Sequence, residues 1–69
     1  MTKARYLATL KRLGLTPAAQ ATAHALGTSV RNIQRYSAGN DVPRTVQLLL
    51  RAYTEHPRLL KAVLAELDE

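Results

Sequence analysis

The sequence predicts an all-α protein, a compact bundle of five short helices. Apolar residues recur three and four positions apart along the chain, which is the spacing of one helix face, and they do not alternate as in a strand. Glycines and prolines divide the chain into five such segments. With 69 residues, the chain has room for one small core, so we expect a single domain over residues 1–69.

The first two predicted helices cover residues 2–13 and 17–26. Gly14 follows the first helix, where a glycine in the left-handed conformation is typical. Thr16 is the expected N-cap of the second helix, and Pro17 suits its first position. The second helix is rich in alanine, which favours helix and lets another helix approach closely.

The remaining three helices begin at recognisable capping signals. We expect Gly27 to form a tight turn and Ser29 to cap a third helix that runs to about Ala38. Val42 and Pro43 open a fourth helix. Residues 57–69 form a fifth, which either completes the small core or pairs with its counterpart in a second copy.

The chain is basic, and its charge is uneven. The formal net charge is +5, and residues 1–54 hold eight lysines and arginines against Asp41 alone. Residues 55–69 hold four carboxylates against two basic side chains. A basic body indicates a polyanionic partner such as nucleic acid, although small proteins also use such charge for solubility.

Several functional classes are disfavoured by the residues that the sequence lacks. There is no cysteine, and the two histidines have no carboxylate cluster beside them, so we expect no metal. No nucleophile–base pair, carboxylate pair or phosphate-binding loop is present, so we expect neither an enzyme nor a cofactor or small-molecule ligand. The first residues form no signal peptide or membrane span, which favours a cytoplasmic protein without membrane contact.

The third helix divides into two faces with different chemistry. Ile33 and Tyr36 are expected to point into the core, whereas an outer face lacks carboxylates altogether. Arginine can form two hydrogen bonds with guanine, and glutamine or asparagine can do the same with adenine. Such a face therefore indicates contact with base edges rather than with solvent alone. The outer face comprises Arg31, Gln34 and Arg35, with Asn32 and Val30 at its margin.

The stretch "RLGLTP…AHALGTSVRNIQRYSAGNDVPRTVQLLL" resembles the Cro and phage-repressor (XRE-type) family of helix-turn-helix DNA-binding domains. The resemblance covers about residues 4–56 and implies a lambda-repressor-like fold. The short chain and the run "VPRTVQLLLRAYTEHP" are also similar, on fewer residues, to the small autoregulators encoded beside anti-CRISPR genes. This second likeness implies a phage or other mobile element as the source.

The resemblance implies roles for particular residues. It places Val30, Arg31, Asn32, Gln34 and Arg35 against DNA bases, and Thr16, Thr28, Ser29 and Arg44 against phosphates. The chain departs from the family in one respect. Gly14 and Gly27 are two residues further apart than is usual, and Pro17 stands where the family commonly has a contacting glutamine. The two extra residues extend either the second helix or the loop before it.

The fifth helix offers a broad apolar face for a homodimer. This face comprises Leu59, Leu60, Val63, Leu64 and Leu67. A two-fold dimer presents two reading helices one DNA turn apart and therefore implies a palindromic operator in double-stranded DNA.

The function expected from these features is that of a small transcriptional repressor that acts on its own promoter. Two alternatives remain open. One is a protein-binding module of the antitoxin or antiactivator type that uses the fifth helix, and the other is RNA binding by the same basic face.

Overall fold

Five α-helices and a terminal 3₁₀ turn make up the protein in the computed structural model, which describes residues 1–68. The helices are α1 (Lys3–Leu13), α2 (Gln20–Ala25), α3 (Val30–Ser37), α4 (Arg44–Glu55) and α5 (Pro57–Ala65), and the turn covers Glu66–Asp68. These residues include no strand, so the predicted all-α bundle of five helices is confirmed. The predicted C-terminal segment 57–69 extends one position beyond the described residues.

Every helix contributes at least one buried side chain to the core. Helix α1 packs against α3 and α4, α2 packs against α3 and α5, and α4 packs against α5. Their meeting point is filled by side chains with almost no exposed surface, which are Tyr6, Leu10, Ala23, Ile33, Leu50, Tyr53 and Leu60. None of the helices described is long and apolar enough to span a bilayer.

Helix α2 is shorter than predicted, and Thr16 is not its N-cap. The chain first makes a turn in which the Thr16 carbonyl accepts the Ala19 amide at 3.2 Å and the Thr22 hydroxyl at 2.6 Å. Ala19 is then extended, with φ −81° and ψ 145°, and serves as the cap residue without a side-chain bond. The predicted helix over 17–26 is therefore wrong at its start. Residues 14–19 form a loop and turn before α2.

A buried tyrosine joins α2 to α4. The Tyr53 hydroxyl donates a hydrogen bond to the carbonyl of Ala25, the last residue of α2. Both residues are buried. Burial, and secondarily the negative charge of Glu66, raises the pKa of Tyr53. This bond fixes the end of α2 at the point where the chain turns into α3.

Helix α5 completes the core with one side of its apolar face. Leu60 is only 6% exposed and is covered by the same chain, so it takes the core-completing role that the sequence left open and offers little surface to a second copy. Val63 and Leu64 are half-buried against the core. Leu59 and Leu67 keep 44% and 45% of their surface exposed. Of the predicted dimer face, these two leucines are therefore the most accessible.

Candidate nucleic-acid interface

The turn between α2 and α3 is built around Gly27. Its φ is +68°, in the left-handed region that residues with a Cβ rarely adopt. The Gly27 amide bonds to the His24 carbonyl at 3.1 Å, and the Thr28 amide bonds to the Ala23 carbonyl at 3.0 Å. Together these two bonds form a Schellman motif, which satisfies carbonyls left over at the end of α2 and reverses the chain into α3.

Ser29 caps α3, as the sequence predicts. Its backbone is extended, and its hydroxyl accepts the amide of Asn32 at 3.2 Å. The Asn32 side-chain amide also donates to the Thr28 hydroxyl at 2.8 Å. This second bond was not predicted, although a polar pair four residues apart near a helix start would have indicated it. The first turn of α3 is therefore stabilised by two hydrogen bonds, one to the Ser29 hydroxyl and one to the Thr28 hydroxyl.

Two residues of α3 anchor it from below. Ile33 is completely buried, and Tyr36 is 8% exposed, so both predicted inward positions agree with the structure. The Tyr36 ring meets the ring of Tyr6 on α1 edge to face, with centroids 5.9 Å apart and planes at 81°. Burial, with Tyr36 as a lesser cause, raises the pKa of Tyr6. Buried Ile33 and the contact between Tyr36 and Tyr6 therefore fix the orientation of α3.

The opposite face of α3 presents the side chains expected to read bases. Arg31, Gln34 and Arg35 are all exposed and share one side of the helix. The contacts between basic and acidic side chains among residues 1–68 are a His24–Glu66 hydrogen bond and an Arg51–Glu55 ion pair, and neither involves α3. The three side chains therefore project from a fixed helix and are available to a partner.

The other predicted contact residues are placed less uniformly. Val30 is half-buried and packs on the core, and Asn32 is half-buried with its amide held by Thr28. Arg44 is exposed at the first position of α4. Thr16 is exposed in the loop before α2 and no longer marks a helix start. Thr16 therefore has no helix N-terminus beside it that would bring it to a phosphate.

The electrostatic environment of α3 favours an anionic partner. No aspartate or glutamate occurs among the first 40 residues, so neither α1, α2 nor α3 carries a carboxylate. Arginine at both ends of the exposed face adds positive charge, and each guanidinium offers several donors in a fixed plane. Such a face can bind phosphate oxygens and can also donate two bonds to guanine O6 and N7.

Comparison of the chain with protein-family models, with curated proteins and with solved structures yields no match. The basis for assigning a function is therefore the chemistry of the side chains that α3 and its neighbours expose.

Proposed function

We propose that the protein is a sequence-specific repressor that binds double-stranded DNA in its own promoter. Helix α3 lies in the major groove, where Arg31, Gln34 and Arg35 contact base edges. Arg44, Thr28 and Ser29 contact phosphates and set the register of the helix on the duplex. Occupancy of the promoter blocks transcription, and the protein acts in the cytoplasm, where the operator DNA is found.

The observation that carries this proposal is the division of α3 into an anchored face and a carboxylate-free exposed face. Ile33 and Tyr36 hold α3 in one orientation, so its exposed side chains project in a fixed direction. A helix face that is only solvated normally mixes carboxylates with basic side chains, whereas this face has arginines and an amide only. The resemblance to the XRE-type family supports the same role for α3 and implies the same groove.

The protein acts as a homodimer on an inverted repeat. Leu59 and Leu67, exposed by 44% and 45%, provide apolar surface for the contact between copies. Two copies related by a two-fold axis place their reading helices about 34 Å apart, one turn of DNA. The operator is then a palindrome with two equivalent half-sites.

The test is DNA binding and footprinting on the segment directly upstream of the gene. We expect protection of an inverted repeat that overlaps the promoter, with equal protection of both halves. Replacing Arg31 or Arg35 with alanine should weaken binding by about 1–3 kcal/mol and relax selectivity at one base pair per half-site. Arg44→Ala should instead weaken all sequences alike and reduce the dependence on salt.

The matched control is Arg58→Ala, which removes an exposed arginine from α5 and leaves α3 unchanged. It should bind the operator as the original protein does. If the double variant Arg31→Ala/Arg35→Ala retarded the operator with unchanged affinity, the role of this face would be refuted. Preferential competition by structured leader RNA would indicate RNA as the partner, since the same basic face serves both polyanions.

A further inference from the structure

A second basic surface lies between α1 and α4. An open groove of about 680 Å³ runs between the two helices, and no residue of α3 lines it. A neighbouring hollow of about 640 Å³ continues along α5 and shares Arg12 and Thr54 with the groove. The surface is therefore elongated, and it contains none of the α3 side chains proposed to contact bases, although Arg44, a proposed phosphate contact, is part of its lining.

The arginines of the groove are regularly placed. Arg5 and Arg12 lie seven residues apart on α1, and Arg44 and Arg51 lie seven residues apart on α4. Seven residues are two helical turns, or about 10 Å along each wall. Among the described residues that line the groove, the only carboxylate is that of Glu55, whose Oε1 lies 3.4 Å from Nε of Arg51. Both walls thus present cations at the same spacing with a net positive charge.

The groove also exposes apolar surface. Leu48 is 51% exposed and Met1 is 41% exposed, and both line the groove together with Ala8. Leu48 and Met1 are among the few large apolar side chains that the protein leaves in solvent. An apolar strip bordered by arginines is typical of protein interfaces, where arginine is enriched and lysine is depleted.

We propose that the α1–α4 groove binds an acidic amphipathic helix of a partner protein. Such a helix buries leucine-like side chains against Leu48 and Met1 and directs carboxylates to Arg5 and Arg12. Guanidinium and carboxylate groups pair through two parallel hydrogen bonds, which fixes the orientation of the bound helix. The repressor would thereby have a protein-binding site beside its DNA-binding site.

Two other occupants match the groove less well. A DNA backbone would use the arginines but gain nothing from Leu48 or Met1, since phosphate and sugar are contacted mainly by charged and polar groups. A second copy docked groove to groove would oppose like charges, because a two-fold contact brings the same patch onto itself. An acidic helix is the partner whose chemistry uses both the cations and the apolar strip.

The probe is a designed helical peptide with a leucine stripe on one face and glutamates on the others. Its control keeps the leucines and replaces every glutamate with lysine. Titration of each fluorescently labelled peptide with the intact protein should show binding of the acidic peptide only, weakened by added salt. Because no DNA is present, this readout is independent of the repressor function.

Variants locate the binding to the groove. Arg5→Glu/Arg12→Glu and Leu48→Asp should each weaken peptide binding by at least about tenfold. Leu48→Met should keep it, because the apolar strip remains, and so should Arg58→Glu outside the groove. All four sites are exposed, and far-UV circular dichroism checks that the variants remain folded.

Two outcomes overturn the proposal. The first is failure of the acidic peptide to bind, and the second is binding that the groove variants leave unchanged. In the second case, a loss of DNA affinity or of self-association in Arg5→Glu/Arg12→Glu would assign the groove to phosphates or to a second copy.

Discussion

Replacing Tyr53 with phenylalanine removes one hydroxyl group, the one that joins α4 to the end of α2. The ring stays in the core, so the apolar packing is unchanged. The Ala25 carbonyl, however, loses its hydrogen bond while it remains buried, since Ala25 is only 2% exposed. A buried carbonyl without a partner costs about 1–3 kcal/mol, and we expect Tyr53→Phe to lower the free energy of unfolding by that amount.

Tyr6→Phe is the matched control, since it removes the same atom from another core tyrosine. Among the described residues, the Tyr6 hydroxyl is buried without a hydrogen-bond partner. Its removal therefore breaks no bond and relieves the cost of burying an unpaired polar group. The edge-to-face contact with Tyr36 needs only the ring. We expect Tyr6→Phe to be neutral or to raise the free energy of unfolding by about 1–2 kcal/mol.

Urea denaturation followed by far-UV circular dichroism measures both variants. For a domain of this size, a change of 1 kcal/mol corresponds to a melting-temperature shift of about 4–8 °C, so thermal unfolding resolves the same difference. We expect the loss of stability to depend on the hydrogen-bond partner that is left unpaired and not on the hydroxyl itself. Equal losses in the two variants would refute it, as would a Tyr53→Phe variant as stable as the original protein.

The remaining predictions concern pH and the α2–α3 turn. Burial raises the pKa of Tyr6 and Tyr53 above the ordinary value of 10.0, so the unfolded chain loses these protons first. The contribution of these two tyrosines to the free energy of unfolding should therefore be constant well below that pH and fall above it, and urea titrations at about pH 9 and about pH 11 should show a smaller fall in Tyr6→Phe. Gly27→Ala meets no atom within 4 Å but keeps a φ of +68°. The strain of the left-handed backbone should lower the free energy of unfolding of Gly27→Ala by about 1–2 kcal/mol, as measured by thermal unfolding, and that of Gly27→Asn by less. A Gly27→Ala variant as stable as the original protein would contradict this expectation.

Much of the fold could be predicted because its signals are local. Glycines with positive φ follow α1 and α2 at Gly14 and Gly27, where the sequence predicts helix ends, and a third follows α3 at Gly39. The Ser29 cap and the inward positions of α3 depend only on nearby residues and on helical spacing. The candidate reading face was predicted for the same reason, since exposure on a short amphipathic helix follows from its period.

The start of α2 was not predictable in this way. Thr16 and Pro17 form a strong local helix signal, yet the Thr16 carbonyl is taken up by the Ala19 amide and the Thr22 hydroxyl. Thr22 is fully buried, so its hydroxyl must find a partner, and the loop supplies one. This requirement arises only when α2 is packed against its neighbours, and it outweighs the capping preference.

The sequence by itself determined the presence of five helices, the turn at Gly27 and the carboxylate-free exposed face of α3, because each depends on residues close together in the chain, but it misplaced the start of α2. Only the tertiary structure decided which apolar and basic residues remain accessible. Leu60 is covered by its own chain, whereas Leu48 is exposed beside arginines from α1 and α4. Helical spacing identifies a face, but burial depends on which other helix covers it.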